Sequence, residues 1–174
     1  HLIFPVVFGF ILWSRSSGNY LKYTFVLLLT SYSALITVLV YPSAPPWFGA
    51  NATRILYQAG NEMGVPVYSS LFAHLESNPF AAFPSLHATY PWLISLYSIK
   101  IKRIKALPIL IIPLGVWFSA VYLGEHYVID LLAGVVYTTV AFFLVEKLIT
   151  RISLHGPSLQ IFKKAIKRLL SKIR

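Results

Sequence analysis

Polar positions interrupt this chain only at wide intervals, and the apolar runs between them set its organisation. Tyr23 to Val40, Ala106 to Leu123 and Tyr127 to Val145 carry no charge apart from Asp130, and each approaches the ~20 residues that a spanning helix needs. Ala81 to Ile99 is a further run, holding His87, Pro84 and Pro91. Leu2 to Trp13 is apolar but too short to span alone, and the chain does not begin with Met, so one or more helices are expected upstream. The pattern predicts an all-α fold: a polytopic transmembrane helical bundle of about five to six spans, the first truncated here.

Between the second and third runs, Tyr41-Pro42-Ser43-Ala44-Pro45-Pro46-Trp47 rules out a continuing helix and predicts a stiff, extended exit. Asn51 to Gln58 and Tyr68 to Glu76 are expected as short helices on the membrane surface, where their aromatics fit. Asn51-Ala52-Thr53 also matches a glycosylation acceptor, a common triplet. After the last run Gly156-Pro157 breaks the chain, and Ser158 can cap a final helix. Leu159, Phe162, Ile166, Leu169, Leu170 and Ile173 recur there at helical spacing among Lys163, Lys164, Lys167, Arg168 and Lys172. Residues 1–157 therefore read as the membrane domain and 158–174 as a basic amphipathic tail held by anionic lipid, or else a solvated tail.

Composition agrees: 57% of residues are hydrophobic and only 11% charged, with mean hydropathy +0.69. The chain has no cysteine, which excludes disulfides, thiolate chemistry and Cys-based metal sites. A net charge of +10 would fit a nucleic-acid partner in a soluble protein, but here it is first a topology signal. With alternating helices every Lys and Arg except Arg54 falls on one side, which the positive-inside rule makes cytoplasmic, along with the C-terminus. The 41–80 loop, His87 and His126 then face the extracytoplasmic or lumenal side. Because the runs on either side of Lys100 to Lys105 have similar lengths, they return His87 and His126 to one depth.

Those histidines carry the candidate chemistry. His126 and Asp130 are four residues apart, which in a helix puts imidazole and carboxylate on one face. An ionisable group inside an apolar run is a functional candidate by default, although a structural pair at a helix mouth fits the same spacing. A carboxylate that fixes one ring nitrogen leaves the other free to attack or to accept a proton. Pro84-Ser85-Leu86-His87 stands where the outer loop enters a helix, and exposed N–H groups at such a start favour an anion such as phosphate. Ser85 adds a hydroxyl donor, and His87 can protonate a leaving oxygen. An ordinary helix start with an interfacial histidine is the plainer reading of that tetrapeptide.

Pro84-Ser85-Leu86-His87, then Ser119, His126 and Asp130, resemble the second and third signature motifs of the type 2 phosphatidic acid phosphatase superfamily: Pro-Ser-Gly-His, then Ser-Arg, five residues, His, three residues, Asp. Tyr41-Pro42, Ala44-Pro45-Pro46-Trp47, Phe83-Pro84-Ser85-Leu86-His87 and His126-Tyr127 are most similar to its inositol phosphorylceramide synthase-like branch. The resemblance covers Tyr41 to Gly134. It implies a membrane lipid phosphatase or phosphotransferase in which His126 forms a phosphohistidine, Asp130 orients it, His87 protonates the leaving group and Ser85 helps bind phosphate. It implies no metal or other cofactor. The substrate is then a lipid phosphate or pyrophosphate, with water or a hydroxylated lipid as acceptor.

The departures from the motifs bear on substrate. Leu86 stands for Gly, Ala120 stands for Arg, and no Lys-x6-Arg-Pro motif lies near Tyr41 to Trp47. A phosphodiester needs fewer compensating charges than a dianionic monoester, which tilts the reading toward diester or pyrophosphate chemistry. Arg54 is either a replacement phosphate ligand or a loop residue; Glu125, Tyr122 and Trp47 are candidates for lining the pocket. Two other readings stay open. One is a non-catalytic protein that holds a phospholipid or polyprenyl phosphate. The other is a proton relay, against which stands the gathering of polar groups near one face.

Overall fold

The computed structural model describes residues 3–64 and 80–155. Its helices are α1 (Ile3–Arg15), α2 (Ser17–Val40), α3 (Pro46–Gly49), α4 (Ile55–Glu62), α5 (Leu86–Lys102), α6 (Ile111–Tyr122) and α7 (Val128–His155), with a 3-10 helix at Arg103–Leu110. No strand forms among the described residues beyond an isolated bridge between Ser43 and Ala81. The expected surface helix at Tyr68 to Glu76 and the basic tail after Pro157 lie outside the described residues.

The architecture is an all-α membrane bundle. Ser17–Val40, Leu86–Tyr122 and Val128–Ile149 are long and apolar enough to cross a bilayer, and α1 is a shorter apolar helix. Leu86–Tyr122 doubles back on itself. Arg103 adopts φ 53° at the end of α5, and the 3-10 helix and α6 pack back along α5. Thus Ala88, near the start of α5, meets Ala120, near the end of α6. The twelve residues of α6 rise about 18 Å, so the 3-10 helix supplies the rest of the return.

Helix α5 is the hub, packing on α1, α2, α6 and α7. Its buried residues include Ala88, Thr89, Tyr90, Leu93, Ser95 and Tyr97, which cover every side. The other helices leave one apolar face bare, as lipid contact requires: Val6 and Phe10 on α1, Ile111 and Phe118 on α6, Val136 and Phe143 on α7 are all exposed. One core cluster joins Leu12, Tyr23, Val26, Leu93, Tyr97, Phe142 and Val145. Hydrogen bonds between Thr37 and Tyr137 (2.8 Å) and from Trp92 to Thr139 (2.9 Å) satisfy polar groups between helices. At the end away from His87, Glu146 accepts from Lys22 (3.0 Å) and Lys100 (2.6 Å), so the cations of α2 and α5 share one end of the bundle.

Three boundaries differ from expectation, the first being the short helix expected at Asn51 to Gln58, which instead runs Ile55–Glu62. Ala81 to Ser85 are not helical, because their backbone is engaged elsewhere: Ala82 N–H donates to the Ser43 carbonyl (3.1 Å) and Phe83 N–H to the Ser43 hydroxyl (2.8 Å). The proline-rich exit is not extended throughout, since Pro46 opens the single turn α3, a position that tolerates its missing N–H.

Candidate functional site

Three segments meet at the end of the bundle opposite Glu146: the start of α5, the start of α7, and the 123–127 connection that follows α6. Ser85, the N-cap residue of α5, donates its N–H to the Asp130 carbonyl in the first turn of α7 (3.0 Å). The two helices close up because Gly134 has no side chain: a Cβ there would lie 2.5 Å from the Ser85 carbonyl oxygen and 3.2 Å from Ala88 Cβ. Asp130 also steadies its own helix, its Oδ2 accepting the Tyr127 N–H (2.9 Å) as the third helical residue of a capping box.

His126 lies in a connection and not in a helix, so the one-face relation to Asp130 arises differently from expectation. The α6 C-terminus holds the connection: Glu125 N–H (3.0 Å) and His126 N–H (3.2 Å) both donate to the Ala120 carbonyl. Gly124 turns the chain at φ +78°, and a Cβ there would meet the Thr53 carbonyl at 2.9 Å. With this turn in place, His126 Nε2 lies 3.0 Å from His87 Nδ1, and the ring centroids are 5.1 Å apart. The two imidazoles, 39 residues apart in sequence, share one hydrogen bond.

The tautomer follows from the neighbours. His126 Nδ1 lies 3.1 Å from the Ala82 carbonyl, an oxygen that can only accept, so Nδ1 carries a proton. With a single proton on its ring, His126 holds it at Nδ1 and turns the Nε2 lone pair toward His87, whose Nδ1–H then donates. Asp130 Oδ2 stands 3.6 Å from His126 Nδ1, beyond a hydrogen bond but close enough to stabilise positive charge on the ring. The carboxylate expected to orient His126 thus shares that task with a backbone carbonyl. Both residues are buried.

Other candidates fall in different places. Ser85 is fully buried, and its hydroxyl has no hydrogen-bond partner among the described residues. Leu86 is half-buried as the first residue of α5. Ala120, where the resemblance expects Arg, packs against Ala88 and Leu131, which leaves no room for a long cation. Arg54 is at the site's rim, with Nε 2.9 Å from Glu125 Oε1 and Nη2 3.3 Å from Oε2, and its guanidinium stacks 4.5 Å over Trp47. Tyr122 is exposed and stacks on Phe118, also exposed, along α6. Ser119 spends its hydroxyl on the Gly115 carbonyl (2.8 Å). The Ala82 carbonyl was outside any side-chain pattern; Gly134, one turn after Asp130, was the available sign of close helix packing.

A family model described as the PAP2 superfamily matches residues 1–144. The phosphoinositol dihydroceramide synthase of Bacteroides thetaiotaomicron is 31% identical, over 75% of this chain and 47% of that protein. The inositol phosphorylceramide synthase catalytic subunit of Saccharomyces cerevisiae is 34% identical, over 59% of this chain and 28% of that protein. The chain thus spans less than half the length of these two relatives. No solved structure matches it.

Proposed function

The chain belongs to the PAP2 superfamily, the type 2 phosphatidic acid phosphatase superfamily, and from that premise we propose that it transfers a phosphate-bearing headgroup between lipids through a phosphohistidine on His126. The observation that carries this reading is the His87–His126 pair, with the protonated Nδ1 of His126 fixed between the Ala82 carbonyl and Asp130.

In the first step His126 Nε2 forms a bond to phosphorus, the bond from phosphorus to the leaving oxygen breaks, and His87, entering as the imidazolium, gives its Nδ1 proton to that oxygen and becomes neutral. Asp130 offsets the positive charge that develops on His126. In the second step a hydroxyl oxygen forms a bond to phosphorus, the bond from phosphorus to His126 Nε2 breaks, and the hydroxyl proton passes to neutral His87, which restores both rings. A lipid hydroxyl makes the reaction a transfer and water makes it hydrolysis; the relatives, both synthases, favour transfer.

The geometry sets a condition on this chemistry. A nucleophile sits about 3 Å from phosphorus and a proton donor about 3 Å from its oxygen, so the nitrogens must be roughly 6 Å or more apart around a reacting group. They are 3.0 Å apart here, so substrate binding must part the imidazoles. Parting also opens the start of α5, where the unpaired Ser85 hydroxyl and the first N–H groups of the helix suit phosphoryl oxygens. The basic end at Lys22 and Lys100 lies opposite, which supports an extracytoplasmic or lumenal site and a cytoplasmic C-terminus.

The test is a panel of vesicles bearing phosphatidic acid, polyprenyl pyrophosphate, or phosphatidylinositol with ceramide. A new phospholipid that forms only with ceramide present is expected. Release of inorganic phosphate alone would make the chain a phosphatase, and saturable binding without turnover on all three would make it a lipid-binding protein.

A further inference from the structure

The geometry points to Arg54 and Glu125 as a clasp that positions His126 for reaction, an inference that rests on the phosphotransfer reading of the site. His126 has no helix of its own. Its ring must be aimed by a short connection whose backbone hangs from the last carbonyls of α6, Leu123 N–H donating to Ser119, Gly124 N–H to Val121, and Glu125 and His126 N–H to Ala120. The residue immediately before it, Glu125, is gripped by the Arg54 guanidinium through both carboxylate oxygens, at 2.9 and 3.3 Å. A two-point fork fixes direction as well as distance, which a single contact does not.

Two further contacts make the clasp rigid. Arg54 Cζ sits over the Trp47 ring, 4.5 Å from its centroid, and the Thr53 carbonyl abuts Gly124 so closely that no side chain fits between them. The loop after α3 is therefore seated on the 123–126 turn by its backbone and locked there by its side chain. The pair is largely withdrawn from water, with side-chain exposures of 15% and 17%, so it is not an ordinary surface ion pair of negligible worth. A cation placed in this way acts on the phosphate through the aim of His126, and its carboxylate partner is required for that action.

The experiment compares R54A, E125A, E125Q and the exchanged pair R54E/E125R with H126A in the full-length protein, using vesicles of phosphatidylinositol and ceramide and checking each variant's melting temperature. R54A and E125A should each lower kcat about 10- to 100-fold with KM changed less than about threefold, because the ring is misplaced and substrate contact is not lost. E125Q, which keeps one acceptor oxygen, should fall between them and the wild type. The exchanged pair should recover about tenfold or more of the lost kcat. A rise in KM at constant kcat in R54A, with E125A unaffected, would make Arg54 a direct phosphate ligand and overturn the clasp. Full kcat in both single variants while H126A is inactive would also overturn it. An active H126A would instead overturn the phosphotransfer reading beneath it.

Discussion

Replacing Gly134 by alanine places a methyl carbon 2.5 Å from the Ser85 carbonyl oxygen, 3.1 Å from Thr89 Oγ1 and 3.2 Å from Ala88 Cβ. The first of these is backbone and cannot rotate away. It is also held in place, since the Ser85 carbonyl accepts from Ala88 N–H (3.3 Å), Thr89 N–H (3.2 Å) and the Thr89 hydroxyl (3.0 Å). Comfortable contact begins at roughly 3.5 Å, so α5 and α7 must separate by about 1 Å at this crossing. Forcing a methyl group into a packed interface costs about 1–3 kcal/mol, a fall of several degrees in melting temperature for a chain of this size. The larger effect is on the site. His87 belongs to the first turn of α5 and Asp130 to the first turn of α7, so the separation shifts His87 against His126, and a misplacement of about 1 Å costs about 100-fold in turnover. Headgroup transfer and thermal melting of G134A in detergent measure both. Turnover within about threefold of wild type at unchanged melting temperature would refute the claim that this crossing sets the distance between the imidazoles.

Two other substitutions separate roles that the geometry keeps distinct. D130N keeps an acceptor for the Tyr127 N–H but removes the charge beside His126; because the Ala82 carbonyl still holds the tautomer, kcat should fall about 100-fold in steady-state assays, less than the about 10,000-fold seen where a carboxylate alone sets it. An unchanged kcat would remove Asp130 from the reaction. S85A deletes a buried hydroxyl that has no partner among the described residues, so melting should stay level or rise, as an unsatisfied buried group costs about 1–3 kcal/mol. The KM for the lipid phosphate should increase, and a constant KM would exclude Ser85 as a phosphate ligand.

What the sequence made legible follows from what lipid demands. Ser17–Val40 and Val128–His155 contain the expected runs Tyr23 to Val40 and Tyr127 to Val145 almost whole, because a helix in hydrocarbon must be apolar along its length. Alternating spans were likewise enough to bring His87 and His126 to one level. The start of α5 was not legible at Ala81, because the backbone there is engaged by Ser43, whose part in that contact no periodicity announces. The turn within Lys100 to Lys105 was legible from its charges, but its hinge at Arg103, a non-glycine residue with positive φ, was not. Arg54 and Glu125 were visible singly as a cation and an acid at the outer level, but their pairing depends on the way Gly124 seats against Thr53, a contact between backbones. The hydrogen bond from the His126 ring to the Ala82 carbonyl likewise depends on where a backbone group is placed.

The most direct test of the account follows the phosphorus itself. Phosphatidylinositol labelled at that atom, mixed with the reconstituted protein and quenched within one turnover, should leave label on the chain that is lost in acid and kept in alkali, on the peptide containing His126. H126A should carry none and form no product. Label retained by H126A, or wild-type turnover with no labelled protein at any quench time, would contradict a phosphohistidine at this residue.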